Sequence, residues 1–95
     1  MNKASPTKKK QARWQVYLLA CQDGSYYAGS TTDLPRRLSE HQQGHGCRYT
    51  KPRRPVDLVW SQSCPNRSKA QGLESNLKKM TKKQKSDLVL SHRKI

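Results

Sequence analysis

Two apolar, β-prone runs, WQVYLLAC at 14–21 and YYAGS at 26–30, flank a segment that contains Asp23-Gly24. Asp-Gly favours a tight type I′ turn, so residues 14–30 are expected to form a β-hairpin. Pairing across that turn puts Tyr17 and Tyr27 on adjacent strands, near enough for their side chains to share a region. Downstream, Thr31-Thr32-Asp33 offers N-cap residues, and Leu34-Pro35 opens a helix with proline in its first turn, where the missing N–H costs little. Leu34, Leu38 and His41 fall on one helical face, and Gly44-His45-Gly46 ends the helix.

Residues 44–55 (GHGCRYTKPRRP) read as a basic loop. Segment 56–62 (VDLVWSQ) reads as a half-buried strand with Val56, Leu58 and Trp60 on one side. Ser68-x-x-Gln71 reads as a capping box, followed by Ala70, Leu73, Leu77 and Met80 at helical spacing. Thr81-x-x-Gln84 is a second capping box and predicts a third helix over 82–91. The order β-β-α-β-α-α predicts an α+β fold: a small three-stranded, mostly antiparallel sheet flanked by helices. The domain is expected over 13–91, with a disordered basic arm at 1–12 and a frayed end at 92–95.

Charge narrows the choice of partner. Twenty lysines and arginines face six acidic residues in 95, a formal charge of +14. A polyanion is the natural partner of such a surface. No apolar run is long enough to span a bilayer and no secretory signal is evident, so a cytoplasmic, nucleoid-associated location is expected. Hydrophobic residues make up 32% of the chain and phenylalanine is absent, which predicts a thin core. The odd count of cysteines, Cys21, Cys47 and Cys64, argues for reduced thiols rather than a disulfide framework. His41, His45 and Cys47 are closely spaced, but the paired ligands of a structural zinc site are missing, and zinc is set aside.

The hairpin resembles the signature of the GIY-YIG nucleases. Gln15-Val16-Tyr17 stands at the first triplet and Tyr27-Ala28-Gly29 at the second. Leu34-x-x-Arg37-Leu38-x-x-His41 is similar to the family's arginine helix, and Ala70-x-x-x-Glu74 to its glutamate helix. The resemblance spans roughly residues 14–84 and is greatest to the short, single-domain bacterial group. Gln15 replaces the first glycine and Ala28 the second isoleucine, and neither change removes a chemically active group. The resemblance implies a metal-dependent nuclease that hydrolyses phosphodiester bonds in DNA with low sequence specificity, serving repair or DNA turnover. It implies that Tyr17, Tyr27, Arg37 and Glu74 converge on one concave surface.

Each implied role has a physical basis and a plainer counterpart. Glu74 would hold one divalent cation, Mg²⁺ or Mn²⁺, which neutralises the phosphate and assists the leaving oxygen; otherwise it is a helix carboxylate paired with Lys78. Arg37 would brace the phosphoryl oxygens with a permanently charged fork, worth on the order of 3–5 kcal/mol in the transition state. Tyr17 would orient the attacking water or act as its base, and Tyr27 would position that water or the phosphate; otherwise both are ordinary packed tyrosines. His41 would bind phosphate or move a proton.

Arg36, Arg48, Tyr49, Lys51, Arg53, Arg54 and Lys78 are candidate nucleic-acid contacts, with Tyr49 as a stacking ring and Lys79, Lys82, Lys83 and Lys85 extending the basic surface. The expected partner is DNA, with RNA as the alternative. No membrane and no small-molecule cofactor are expected, and the chain is expected to be a monomer or weak dimer. The rival class is a non-catalytic basic DNA- or RNA-binding module on a degenerate nuclease fold. Both classes bind through phosphate contacts. Affinity for duplex DNA should therefore fall about 10³-fold between roughly 50 and 200 mM salt in anisotropy titrations, and a salt-insensitive affinity would refute the electrostatic reading.

Overall fold

The structure is a computed structural model that describes residues 13–93. The arm expected at 1–12 lies outside the described residues. Strand β1 (Trp14–Cys21) pairs antiparallel with β2 (Tyr26–Thr31), as the hairpin reading requires. Their connection differs from the expected two-residue turn. The Gly24 N–H donates to the Cys21 carbonyl at 3.0 Å, and the Cys21 N–H to the Ser25 carbonyl at 2.9 Å. Gly24 is left-handed, with φ of 87°, while no described non-glycine residue has positive φ. A type I′ turn needs two left-handed residues, so the chain uses a longer connection with the one it has. Asp23 favours this shape by accepting from the Ser25 N–H at 3.0 Å and the Ser25 hydroxyl at 2.6 Å.

Strand β3 (Val56–Cys64) pairs antiparallel with the other side of β1, giving the order β2-β1-β3. Val16, Tyr17, Leu18 and Leu19 on β1 are each no more than 1% exposed. A central strand covered on both faces explains why its apolar run is continuous rather than alternating. Val16 and Leu18, with Ala28, Trp60 and Cys64, face helices α2 (Arg67–Lys79) and α3 (Lys82–Arg93) through Ala70, Leu77 and Val89. Tyr17, Leu19, Cys21 and Val56 face the other way, against Leu34 and Leu38 of α1 (Leu34–Gln43). Among the described residues the architecture is three layers deep, with α1 the one α-helix on its side.

A bulge corrects the expected pattern of β3. Leu18 pairs with Trp60 but Leu19 pairs with Leu58, leaving Val59 as an extra residue. One inserted residue reverses the alternation beyond it. Val56 and Trp60 therefore belong to cores on opposite faces, and Leu58 is exposed.

The helix ends follow local chemistry. Asp33 caps α1 by accepting from the Arg36 N–H at 3.2 Å, and Gly44 closes it with φ of 89°. Thr81 and Gln84 form both halves of the expected capping box before α3, at 2.9 and 3.1 Å. Helix α2 is capped by Asn66, which accepts from the Lys69 N–H at 2.9 Å, and Ser68 lies inside the helix rather than ahead of it. Helix α3 runs to Arg93, past the expected end at 91, and residues 94–95 lie outside the described range. The basic loop contains a short 3-10 turn, Lys51–Arg53, and is tied to the hairpin turn. The Gln22 N–H donates to the Arg53 carbonyl at 2.9 Å, and Arg53 Nε pairs with Asp23 at 3.0 Å.

Because α1 is a single ten-residue helix on its face of the sheet, its cap matters. Asp33→Ala should cost about 1 kcal/mol in urea unfolding, with Asp33→Asn close to wild type.

Candidate active site

Strand alternation and one glycine set the first wall of the site. Tyr17 pairs with Gly29 across the hairpin. A Cβ at position 29 would lie 2.5 Å from the Tyr17 hydroxyl oxygen and 3.1 Å from Tyr27 Cε2. Only glycine lets the Tyr17 phenol lie over the edge strand, with the Tyr27 ring beside it at a centroid separation of 6.5 Å.

Helix α1 and the following loop build the second wall. The Tyr17 hydroxyl and His41 Nε2 are 2.9 Å apart, and His41 Nδ1 is 2.8 Å from Thr50 Oγ1. His41 and Thr50 have no exposed surface. Gly46 lies flat against the His41 ring, where a Cβ would collide with it. Cys47 Sγ is 3.5 Å from Thr50 Oγ1. Arg37, one helical turn before His41, donates to Glu40 at 2.9 Å and to the Gly46 carbonyl at 2.8 Å.

Burial raises the Tyr17 hydroxyl above its ordinary 10.0, opposed by the nearby Arg37 guanidinium. Tyr27 is pushed up further, first by burial and then by its hydrogen bond to Cys47. Burial lowers His41, and Arg37 adds to that shift against Glu40, so the imidazole is held neutral. Burial pushes the Cys47 thiol up, but hydrogen bonds from Thr50, Tyr27 and Tyr49 outweigh it and leave the thiol below its usual range. Burial works against the Arg37 charge, yet Glu40 and Tyr17 together raise its pKa, so the guanidinium stays ionised.

Glu74 approaches from the opposite layer. It sits on α2, accepts from the Ser30 hydroxyl at 2.7 Å, and pairs with Lys78 at 3.0 Å. Ser30 follows Gly29, so it points to the α2 side of β2 while Gly29 faces the tyrosines. The expected convergence is therefore divided. Tyr17, Tyr27, Arg37 and His41 share one face, and Glu74 reaches the same edge strand from the other. Its charge still acts on Tyr17, as the last of five influences. Among the described residues no cluster of three or more His, Cys, Asp or Glu side chains forms a ready-made metal cage. A single half-buried carboxylate beside a serine hydroxyl suits a hard cation that keeps most of its waters.

The proposed nucleic-acid contacts scatter around this centre. Arg36 is exposed and pairs with Asp33 and Glu40, both at 3.5 Å. Arg48, Lys51 and Arg54 are exposed on the loop, with Arg54 Nε donating to the Lys51 carbonyl at 2.9 Å. The Tyr49 ring is already engaged: Tyr27 stacks on it at 5.8 Å, and the Arg53 guanidinium lies 3.9 Å from its centroid. A base could stack there only by displacing one of them. Lys78 is bound to Glu74. The structure adds residues that the sequence did not single out. Gly29 lies in the second triplet and Ser30 at the end of the second strand without a stated role, Glu40 is not named, Gly46 enters as a helix breaker, and Cys47 and Thr50 belong to the basic loop.

Residues 13–87 match the family profile described as the GIY-YIG catalytic domain, and the chain belongs to that family of nuclease domains. Within it, the relatives are the small single-domain UPF0213 proteins. The chain is 48% identical over 75 residues to a UPF0213 protein of Enterococcus faecalis, covering 77% of this chain and 85% of the relative. Among solved structures it is similar to the solution structure of protein EF2693 from E. faecalis, with 41% identity, a TM-score of 0.59, and coverage of 84% and 85% of the two chains. The solution structure of the UPF0213 protein BH0048 from Bacillus halodurans is 39% identical, with a TM-score of 0.53 and coverage of 81% and 82%.

The depressed pKa of His41 has a consequence for stability. The unfolded ring takes up a proton near the ordinary 6.5, whereas the folded ring resists it to lower pH. The contribution is full above 6.5 and is lost as pH falls through the folded value. The urea midpoint should drop between about pH 7.5 and about pH 5.5, and His41→Gln should flatten that step while lowering the plateau.

Proposed function

We propose that this protein is a divalent-metal-dependent nuclease that hydrolyses phosphodiester bonds in DNA with low sequence specificity, in repair or DNA turnover. The observation that carries this reading is the buried Tyr17–His41 hydrogen bond with Arg37 on the same helix face, in a chain of the GIY-YIG family. Arg37 grips the scissile phosphate in place of Glu40, and its fixed charge meets the negative charge that builds on the phosphoryl oxygens. Tyr17 orients the attacking water, with its own hydroxyl held by His41. Tyr27, beside it at the rim, positions that water or the phosphate.

Glu74 would hold the cation, Mg²⁺ or Mn²⁺, in exchange for Lys78, and the ion would supply charge neutralisation and help to the leaving oxygen. Lys78, once released, joins Arg36, Arg48, Lys51, Arg53 and Arg54 in contacting the backbone of the nucleic acid, which fits weak sequence preference. Tyr49 lends the edge of its ring. A monomer or weak dimer in the cytoplasm, close to the nucleoid, is the setting this activity suits.

A second reading has one observation in its favour. Glu74 is satisfied by Ser30 and Lys78, and lies across the edge strand from the tyrosines. A basic binding module that cuts nothing would leave it so. Cleavage of a panel of labelled duplex, single-stranded, branched and RNA substrates with Mg²⁺ or Mn²⁺ separates the two. Arg37→Ala and Glu74→Ala should each lower the cleavage rate by about 10²–10³-fold while binding stays near wild type. The nuclease reading is sunk if wild type cuts nothing on the panel, or if both variants keep full activity.

A further inference from the structure

We propose that Thr50 and Cys47 are positioning residues for the Tyr17–His41 pair. Cys47 Sγ turns the Thr50 hydroxyl proton toward itself, Thr50 Oγ1 accepts from His41 Nδ1–H, and the ring is held in the tautomer whose bare Nε2 faces the Tyr17 hydroxyl. The inference deepens the nuclease reading of this site and rests on it.

Counting protons along the chain carries the argument. The atoms run Tyr17 Oη, His41 Nε2, His41 Nδ1, Thr50 Oγ1, Cys47 Sγ, at successive hydrogen-bond separations of 2.9, 2.8 and 3.5 Å across the ring. The Tyr17 phenol, the neutral imidazole, the Thr50 hydroxyl and the Cys47 thiol carry one proton each. The direction is set at the phenol end, because a phenol is a far stronger acid than an imidazole N–H and donates to the bare ring nitrogen 2.9 Å away. The ring's one N–H is then on Nδ1, and Thr50 Oγ1, 2.8 Å away, accepts it. The Thr50 hydroxyl proton is left for Cys47 Sγ, 3.5 Å away.

The alternative chain runs the other way, with Nε2–H donating to the tyrosine oxygen. The choice matters chemically. A Tyr17 whose proton points inward to Nε2 presents its lone pairs outward, as a group that orients or deprotonates water must. A Tyr17 that accepts from the ring would offer water a proton instead. The fold holds this geometry in place. Gly46 lets the loop lie on the imidazole, and the 3-10 turn that follows Thr50 anchors its carbonyl to the Arg53 N–H at 2.9 Å. Thr50 and His41 are wholly buried, so water does not substitute for either partner.

Heteronuclear NMR of the imidazole nitrogens, alongside steady-state cleavage with Mg²⁺, tests this. Wild type and Thr50→Ser should carry the His41 proton on Nδ1. Thr50→Val and Cys47→Ala should move it toward Nε2. Thr50→Val should lower kcat by about 10²-fold with KM within about twofold, and Thr50→Ser should restore most of the rate. If Thr50→Val does not fold, Cys47→Ala, at a half-exposed position, carries the same comparison.

A wild-type ring protonated on Nε2 overturns the proposal. So does a tautomer that ignores both substitutions, or a Thr50→Ser rate as low as that of Thr50→Val. The two readings fail separately. A tautomer that follows the variants in a protein that cuts nothing upholds the positioning of the ring and defeats the nuclease. Cleavage with an unresponsive tautomer does the reverse.

Discussion

A phenol hydroxyl in the middle of the best-covered strand constrains everything around it. Tyr17 stands between Val16 and Leu18 on β1 and is only 1% exposed. Burying such a group without a partner costs a few kcal/mol, of the same order as the whole margin of a small domain (roughly 5–15 kcal/mol). His41 supplies that partner, and Thr50 satisfies the other side of His41. One buried chain thus fixes the depth of α1 on the sheet and the path of the loop across its end. The packing of the α1 layer and the chemistry of the site are consequences of the same satisfied hydroxyl.

The edge strand divides the site. Successive residues of β2 point to opposite faces, so Gly29 belongs with the tyrosines and Ser30 with Glu74. The cationic Arg37 and the anionic Glu74 are thereby kept apart by one strand thickness. Each has a local counter-ion, Glu40 and Lys78 respectively. On the proposed reading, a phosphate entering at this edge would replace Glu40 at Arg37, and a cation would replace Lys78 at Glu74.

The sequence was most informative where a signal is local. The hairpin, the Asp33 cap, the Gly44 stop and the Thr81–Gln84 box all lie within a few residues of the groups they bond, and each falls where the spacing puts it. It misled where two local signals compete or where a distant partner decides. Asn66 caps α2 in place of Ser68: it stands directly ahead of Arg67 and accepts from the Lys69 N–H. The bulge at Val59 is set by pairing with β1 some forty residues away, and no alternation rule applied to β3 alone can see it. The candidate residues Tyr17, Tyr27, Arg37, His41 and Glu74 were legible through the resemblance to GIY-YIG nucleases. Thr50 was not, because a threonine in a basic loop carries no sign that it will be wholly buried. The side from which Glu74 arrives was equally hidden, being a property of layering.

The tie between the hairpin turn and the basic loop sets the mechanics of the site. Arg53 holds Asp23 with its side chain, receives the Gln22 N–H on its carbonyl and lies over Tyr49, which stacks on Tyr27. Turn, loop and aromatic wall are riveted at one residue. Opening the loop away from the sheet would break an ion pair, a backbone hydrogen bond and a ring stack together. The loop that carries Thr50 is thus joined to the hairpin turn at one residue, and Arg53 is the hinge pin on which the position of both depends.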